Sequence, residues 1–258
     1  MYNKYMHIWR EIYDSIPWSI DFLNKDNRKI VIALASFPAR KMGMLSVIKA
    51  LRNQCDRICI WLNDYDEIPE ELKDDDKLEI ILAKEKSCLR ENGRLYWVNK
   101  YSNAYYLTVD DDIDYPPNYV KDIISKNNLY PNSIISYHGA IFTNAKEKIL
   151  QFNGPLDDDM QVHRIGGGVA CMIPSKIGFT IPEDITQLSN WDGDASISVW
   201  ATKNNIKKYC LARSDRWLKQ LILNSTNIAR VNALCLNSNT RIKRQKIYST
   251  LDAWENFD

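Results

Sequence analysis

The sequence predicts an α/β fold, an open and mainly parallel sheet with helices on both faces. Three observations point to it. Four short apolar runs rich in β-branched residues recur between Lys29 and Val109. Stretches with helical spacing separate them, so strand and helix alternate. The chain has 258 residues, 45% of them hydrophobic, which suffices for one large domain with small appendages.

Taken in order, Ile8, Trp9, Ile12, Tyr13 and Ile16 recur at helical spacing until Pro17 stops them. They predict an N-terminal amphipathic helix laid on the main domain. "KIVIALASF" (Lys29 to Phe37) is the first buried strand. Met44, Leu45, Ile48 and Leu51 mark a helix within "PARKMGMLSVIKALRNQ". "RICIWL" (Arg57 to Leu62) is the second strand, "IPEELKDDD" a short helix and turn, and "KLEIILA" (Lys77 to Ala83) the third strand. "GRLYWVNKYS" has helical character, and "AYYLTV" (Ala104 to Val109) is the fourth strand. "PPNYVKDIISKN" opens with proline in a helix's first turn.

"SIISYHGAIF" returns as strand, and then the alternation loosens. "EKILQF" and "QVHRIGGGVACMI" have the pattern of antiparallel strands or hairpins. "GDASISVWATKNN" predicts a helix and "KKYCLA" a strand. The tail is basic and then acidic, suited to wrapping the surface or to mobility. No linker is visible, so residues 1–258 are expected to form one domain. Its nucleotide-type half spans about 29–140 and its substrate half about 141–230, with 1–28 and 231–258 as appendages.

Charge and cysteine usage exclude several classes. The net charge is +1, so no global basic field suggests nucleic acid. The six cysteines include no C-x-x-C pair and no zinc spacing with histidine, which predicts buried free thiols in a reducing compartment. No apolar run approaches the roughly 20 residues of a membrane span, and the N-terminus lacks a signal peptide's apolar core. A cytoplasmic location is expected. "RIKRQK" (Arg241 to Lys246) is a local cationic stretch that suits peripheral contact with the membrane's inner face.

The most informative stretch is "YLTVDDDIDYPPNYV" (Tyr106 to Val120). Asp110, Asp111 and Asp112 repel one another, since unit charges 4 Å apart cost about 1 kcal/mol in water and about 4 kcal/mol at an effective dielectric of 20. Most acid runs are solvated turns. This one directly follows a strand, where a bound cation would remove the repulsion. Ligands of open parallel sheets bind beyond the carboxyl ends of the strands. "ASFPAR", "LNDYDE" and "DDDIDYP" all reach that rim, which sets Arg40 beside the acids. A metal flanked by cationic side chains suits a diphosphate.

Other sites find less support. There is no GxxxxGK[ST] and no GxGxxG after the first strand. Gly166, Gly167 and Gly168 lie late; they make either a tight turn between strands or a bare backbone that a sugar can approach. The histidines are His7, His138 and His163, and no serine stands in a GxSxG elbow. His138 and His163 are each either structural or cleft-facing. In "WDGDASISVW", Asp192 suits a helix cap, while Asp194 falls in the first helical turn, where the dipole favours its ionised form.

Together these motifs resemble GT-A-fold glycosyltransferases, in particular bacterial transferases of surface-polysaccharide synthesis such as lipopolysaccharide and capsule. "VDDDIDYP" looks like their D-x-D element and "ASFPAR" like their nucleotide-holding S-x-P-x-R loop. "GRLYW" is similar to a G-P-x-x-K-L segment, with Arg94 in place of lysine and no proline. "RIGGGVACMIP" resembles the Gly-rich strand beside the acceptor, and "WDGDASISVW" the later acidic motif that supplies the base of inverting members. The resemblance covers roughly Lys29 to Leu211. It departs in having no histidine after His163 to complete a metal shell.

The resemblance implies a GT-A, Rossmann-like sheet and a C-terminal acceptor-binding half. It implies transfer of a sugar from a nucleotide diphosphate sugar, a UDP-sugar first, to a glycan or lipid-linked glycan. Ser36, Phe37, Asn63, Arg40, Arg94, Asp110 and Asp111 would hold the donor. Asp110 and Asp112 would hold Mn2+ or Mg2+. His138, Gly167, Gly168 and Trp191 would face the acceptor, and Asp194, or alternatively Asp192, would be the base. The rivals are a non-catalytic sugar-binding relative and an aspartate-nucleophile phosphatase. In the latter, Asp114 would stand where threonine or valine is wanted.

Overall fold

The computed structural model describes residues 27–83, 89–143, 148–221, 238–252 and 254, with the side chains of 148, 149 and 238–241 left out. The expected helix at 8–16 lies outside them. The first four strands are β1 Ile30–Ser36, β2 Arg57–Leu62, β3 Leu78–Leu82 and β4 Tyr105–Val109. Then follow β5 Ile113–Asp114, β6 Ile134–Ser136, β7 Gly139–Phe142 and β8 Lys148–Phe152. The last are β9 Met160–Gln161, β10 Arg164–Ile165, β11 Val169–Met172, β12 Lys208–Cys210 and β13 Lys219–Gln220. The helices are α1 Lys41–Leu51, α2 Tyr119–Leu129, α3 Pro174–Ile177, α4 Gly193–Lys203 and α5 Ser238–Tyr248.

The main sheet has eight strands in the order β3-β2-β1-β4-β11-β6-β12-β9. β1 pairs parallel with β2 and β4, β2 with β3, and β12 with β6. β11 runs antiparallel between β4 and β6, and β9 antiparallel at the edge. The expected α/β sheet, mainly parallel, is therefore present, with the inner antiparallel strand, β11, falling in the Gly-rich segment.

Side-chain alternation explains why both faces are covered. Ile30, Ile32 and Leu34 of β1 face a core with Met44, Val47, Ile48 and Leu51 of α1 and Tyr119, Val120, Ile123 and Ile124 of α2. Val31 and Ala33 face the opposite core, with Leu95, Trp97, Ile177, Ile197 and Ala201. Every residue of β4 is buried. A five-residue run sandwiched in this way stays strand up to its first charge, Asp110.

Three local expectations are corrected. "SIISYHGAIF" is two strands: β6 stays in the main sheet, while β7 joins a second sheet of order β10-β7-β8. The chain turns at Tyr137 and His138 because Gly139 meets another layer; a Cβ there would lie 2.9 Å from Cys210 Cβ and 3.0 Å from Val162 Cγ1. "GRLYWVNKYS" is a 3-10 segment, Arg90–Leu95, followed by turns. Gly93 lies on the Trp61 ring, where a Cβ would come within 2.1 Å. Pro116 and Pro117 precede α2 instead of starting it, and the Tyr119 amide donates to Pro116 O at 3.0 Å. "IPEELKDDD" is the expected short helix and turn, a 3-10 helix at Glu70–Leu72.

The tail wraps the surface. Tyr248, Leu251 and Trp254 are buried against Ala140, Phe142, Ala195 and Val199. Cys55, Cys59, Cys171 and Cys210 are buried free thiols, whereas Cys88 and Cys235 lie outside the described residues. Among the described residues no helix is long and apolar enough to cross a membrane.

Candidate active site

β4 delivers the acid run to the sheet's carboxyl rim, and the glycine turn before β11 receives it. The Asp110 amide donates to Gly168 O at 3.0 Å and lies 2.9 Å from Tyr115 Oη. The same Tyr115 hydroxyl donates to Gly168 O at 2.7 Å. One buried tyrosine thus fastens the acids to the neighbouring strand's turn. Leu221 N donates to Asp112 O at 2.7 Å, and β13 pairs with β5, which holds the run from its other side.

The three acids point different ways. Asp111 is 3% exposed. Its Oδ2 accepts from Ser36 Oγ at 2.6 Å and its Oδ1 from Arg40 Nη1 at 2.7 Å. Burial pushes its carboxyl up to about 6, against the pull of Arg40 and Ser36. Asp112 Oδ2 lies 3.0 Å from Arg40 Nη1. Burial, then the Asp110 charge, raises the Asp112 carboxyl above the usual range. Asp110 Oδ1 accepts from Arg94 Nη1 at 2.7 Å, and its side chain is 42% exposed. Arg40 also lies over the Phe37 ring at 5.4 Å.

Arg94 joins the acid run to the start of α4. Its guanidinium is buried, with Nη2 3.6 Å from Asp194 Oδ1. Burial opposes its charge, but Asp110, Asp194 and Glu91 outweigh that and hold it protonated. Asp194 Oδ1 also accepts from Gly167 N at 2.7 Å. Its Oδ2 takes no hydrogen bond from the described residues, and the side chain is 24% exposed. Asp192, by contrast, is saturated. Oδ1 caps α4 by accepting from Ala195 N at 3.1 Å, and Oδ2 lies 2.6 Å from Arg244 Nε.

The glycines are required by close approach, not by backbone angle. A Cβ at Gly168 would lie 1.8 Å from Asp110 Oδ2. One at Gly167 would lie 2.7 Å from both Arg94 Nη2 and Asp194 Oδ1, and one at Gly166 2.5 Å from His138 Cβ. His138 is half-buried beside this turn, and burial together with Arg213 keeps its imidazole below the ordinary value.

Ser36, Arg40, Arg94, Asp110, Asp111, Asp112, Gly167, Gly168 and Asp194 therefore converge, with Phe37 and His138 at their border. Asn63 does not join them. Its Nδ2 donates to Ser36 O and Arg90 O, and its Oδ1 accepts from Trp61 Nε1, so the amide braces two loops internally. Trp191 packs its ring toward Phe179 at 6.4 Å, beneath α4. His163 accepts from Phe142 N at 2.8 Å and stacks on Trp254, a structural placement. Sequence reasoning missed Tyr115, Arg244 and Asn92. Asn92 Nδ2 donates to Leu188 O and Trp191 O, tying the 3-10 segment to the approach to α4. Only Tyr115 had a sequence signal, its place in the "DYPP" turn.

The fit of a divalent cation can be tested on these side chains. Among the described residues no group of three potential ligand residues gathers. Asp110 and Asp112 offer hard carboxylate oxygens, and the charge of Asp110 raises the proton affinity of Asp112. That mutual repulsion is what a cation would relieve. Two carboxylates fit a cation whose remaining ligands are water and a diphosphate.

No family model and no curated protein matches the sequence. Among solved structures, the fold is similar to that of GalNAc-T7 with UDP, GalNAc and Mn2+, with a TM-score of 0.45 and 8% identity. The match covers 87% of this chain and 55% of that one, so the chain spans about half the length of that structure. A likeness of that degree does not decide chemistry.

Proposed function

We propose that this protein is a GT-A-type glycosyltransferase that uses a nucleotide diphosphate sugar. One observation carries the reading: two arginines, Arg40 and Arg94, interleave with three rim carboxylates, and Asp194 stands across from them with a free oxygen. A diphosphate needs cations and metal-ligating acids side by side; a separate base serves the acceptor.

In this reading Asp111 is a buried anchor. By holding Arg40 and Ser36 it fixes the loop after β1, where the donor's nucleotide would lie. Arg40 and Arg94 hold the phosphates, and Asp110 and Asp112 hold Mn2+ or Mg2+. The cation supplies Lewis-acid stabilisation of the departing diphosphate. Asp194 Oδ2 accepts the proton of the acceptor hydroxyl, while Gly167 N and Arg94 keep Oδ1 in place. Direct displacement with such a base inverts the anomeric carbon. The bared Gly167–Gly168 backbone and His138 border the acceptor's approach. The motif order supports a glycan or lipid-linked glycan acceptor in bacterial surface-polysaccharide synthesis. Within one domain, about 29–140 would form the donor half and about 141–230 the acceptor half.

The test is a panel of nucleotide sugars with Mn2+ or Mg2+, following slow release of nucleotide diphosphate. One donor should be hydrolysed, and EDTA should stop it. Asp194→Asn should lower transfer by about 10²-fold or more with donor binding near normal. A panel with no turnover, or parent rates in Asp194→Asn, would refute the corresponding assignment.

A further inference from the structure

The C-terminal helix reaches the candidate catalytic acids from outside the α/β core. Arg244 of α5 places Nε 2.6 Å from Asp192 Oδ2, and the Asp192 side chain is 2% exposed. Lys243, one position earlier, donates to Ser189 O at 2.8 Å. Two cations of the "RIKRQK" stretch, expected to meet a membrane surface, therefore face this protein's own approach to α4. Burial opposes the Arg244 charge, but Asp192 first and Asp194 next hold it protonated.

We propose that Arg244 is a positioning residue for catalysis and that it acts through Asp192 on Asp194. The inference rests on the assignment of Asp194 as base. Asp192 is the cap of α4, and Asp194 rides on the turn that this cap shapes. With Arg244 in place, both oxygens of Asp192 are occupied and its charge is compensated. Without Arg244, a buried carboxylate two residues from the base loses its ionic partner. It must take up a proton, which weakens the bond from Ala195 N, or turn toward water, which breaks it; either change loosens the first turn. The cap then no longer fixes where Asp194 Oδ2 stands, and misplacement by about 1 Å can cost about 10²-fold in rate. Most of the donor's contacts lie on the loops after β1 and β4; Arg94, which borders this change at 3.6 Å from Asp194 Oδ1, stays anchored on Asp110 at 2.7 Å. Arg244 should therefore govern turnover and leave donor affinity alone.

The experiment uses the full chain with Arg244→Gln, Arg244→Lys, Asp192→Asn, the Asp192→Asn/Arg244→Gln double variant, and Lys243→Gln as control. Two measurements are made on each. The first is amide hydrogen exchange of α4, with UDP binding by calorimetry. The second is kcat and KM for whichever UDP-sugar the parent hydrolyses fastest. Arg244→Gln should speed exchange at Ala195 and Ser196 but not in β4, and lower kcat tenfold or more at unchanged KM and unchanged UDP affinity. Arg244→Lys should recover part of both. The double variant should be no worse than the poorer single one, because the two residues act as one unit. Lys243→Gln should match the parent. Losses that multiply in the double variant, or unchanged exchange and kcat in Arg244→Gln, would overturn the proposal. If Arg244→Gln does not fold, Arg244→Lys and Asp192→Asn carry the same comparison. If the parent hydrolyses neither a UDP-sugar nor any other nucleotide sugar, the transferase reading fails, while the exchange data still decide whether Arg244 holds the start of α4.

Discussion

At the residue scale, the site is defined by what each side chain lacks as much as by what it touches. Gly168 has no Cβ because Asp110 occupies the place, 1.8 Å from where one would be. Gly168→Ala must push Asp110 aside, with an overpacking cost of about 1–3 kcal/mol. UDP calorimetry in Mn2+ should show weakened binding, while circular dichroism keeps the fold. His138 offers a second test. Its native value is lowered from 6.5 by burial and Arg213, so the folded protein keeps it neutral where the unfolded chain is protonated. The unfolded state then binds more protons, and stability falls as pH drops below 6.5. His138→Gln should flatten the dependence of Tm on pH between about 5 and 6.5. A parallel slope for the variant would show that His138 does not titrate this way.

At the element scale, one hydroxyl reinforces the end of the β4–β11 ladder at the site. Tyr115 Oη donates to Gly168 O at 2.7 Å and faces the Asp110 amide at 2.9 Å. Tyr115→Phe leaves the ring edge-on to Tyr119 but takes the hydroxyl from both partners. The expected cost is about 1–3 kcal/mol for buried groups left short of a hydrogen bond. Urea unfolding should show a lower midpoint at constant m value. The acid run and the glycine turn should also exchange amide hydrogens faster, and protection equal to the parent's would contradict the fastening role.

At the scale of the whole molecule, the rim is an electrostatic bargain between elements. Three acids from the end of β4 are balanced by Arg40 before α1 and Arg94 before β4, with Asp194 and Arg244 completing the set. A ligand that brings both phosphate and a cation should stabilise all of these elements together. At 100 times its Kd, UDP with Mn2+ should add about 2.7 kcal/mol. Thermal shift should rise with UDP and Mn2+ together and fall back with EDTA. The same shift with UDP alone would remove the cation from the proposal.

The local patterns were legible because they are local. Short continuous apolar runs mark β1 to β4 to within a residue or so at each end, and a helical stripe marks α1. The acid run at a strand end and Asp192 as a cap follow from the same short-range rules. Whatever required two distant segments to meet was decided only in three dimensions. Gly139 against Cys210 and Val162 split a run that looks like one strand, and Gly93 against Trp61 prevented a helix. Asn63 carries the same side chain whether it faces a ligand or braces Ser36 and Arg90, and only the packed loops choose. Arg244 sits in an exposed-looking basic stretch, and nothing near it in sequence names Asp192, 52 residues away, as its partner. The sequence by itself thus determined the sheet, its rim and the acids upon it, because hydrophobic periodicity acts over a few residues. The tertiary structure decided which cation meets which acid, because that depends on the shape of the core lying between them.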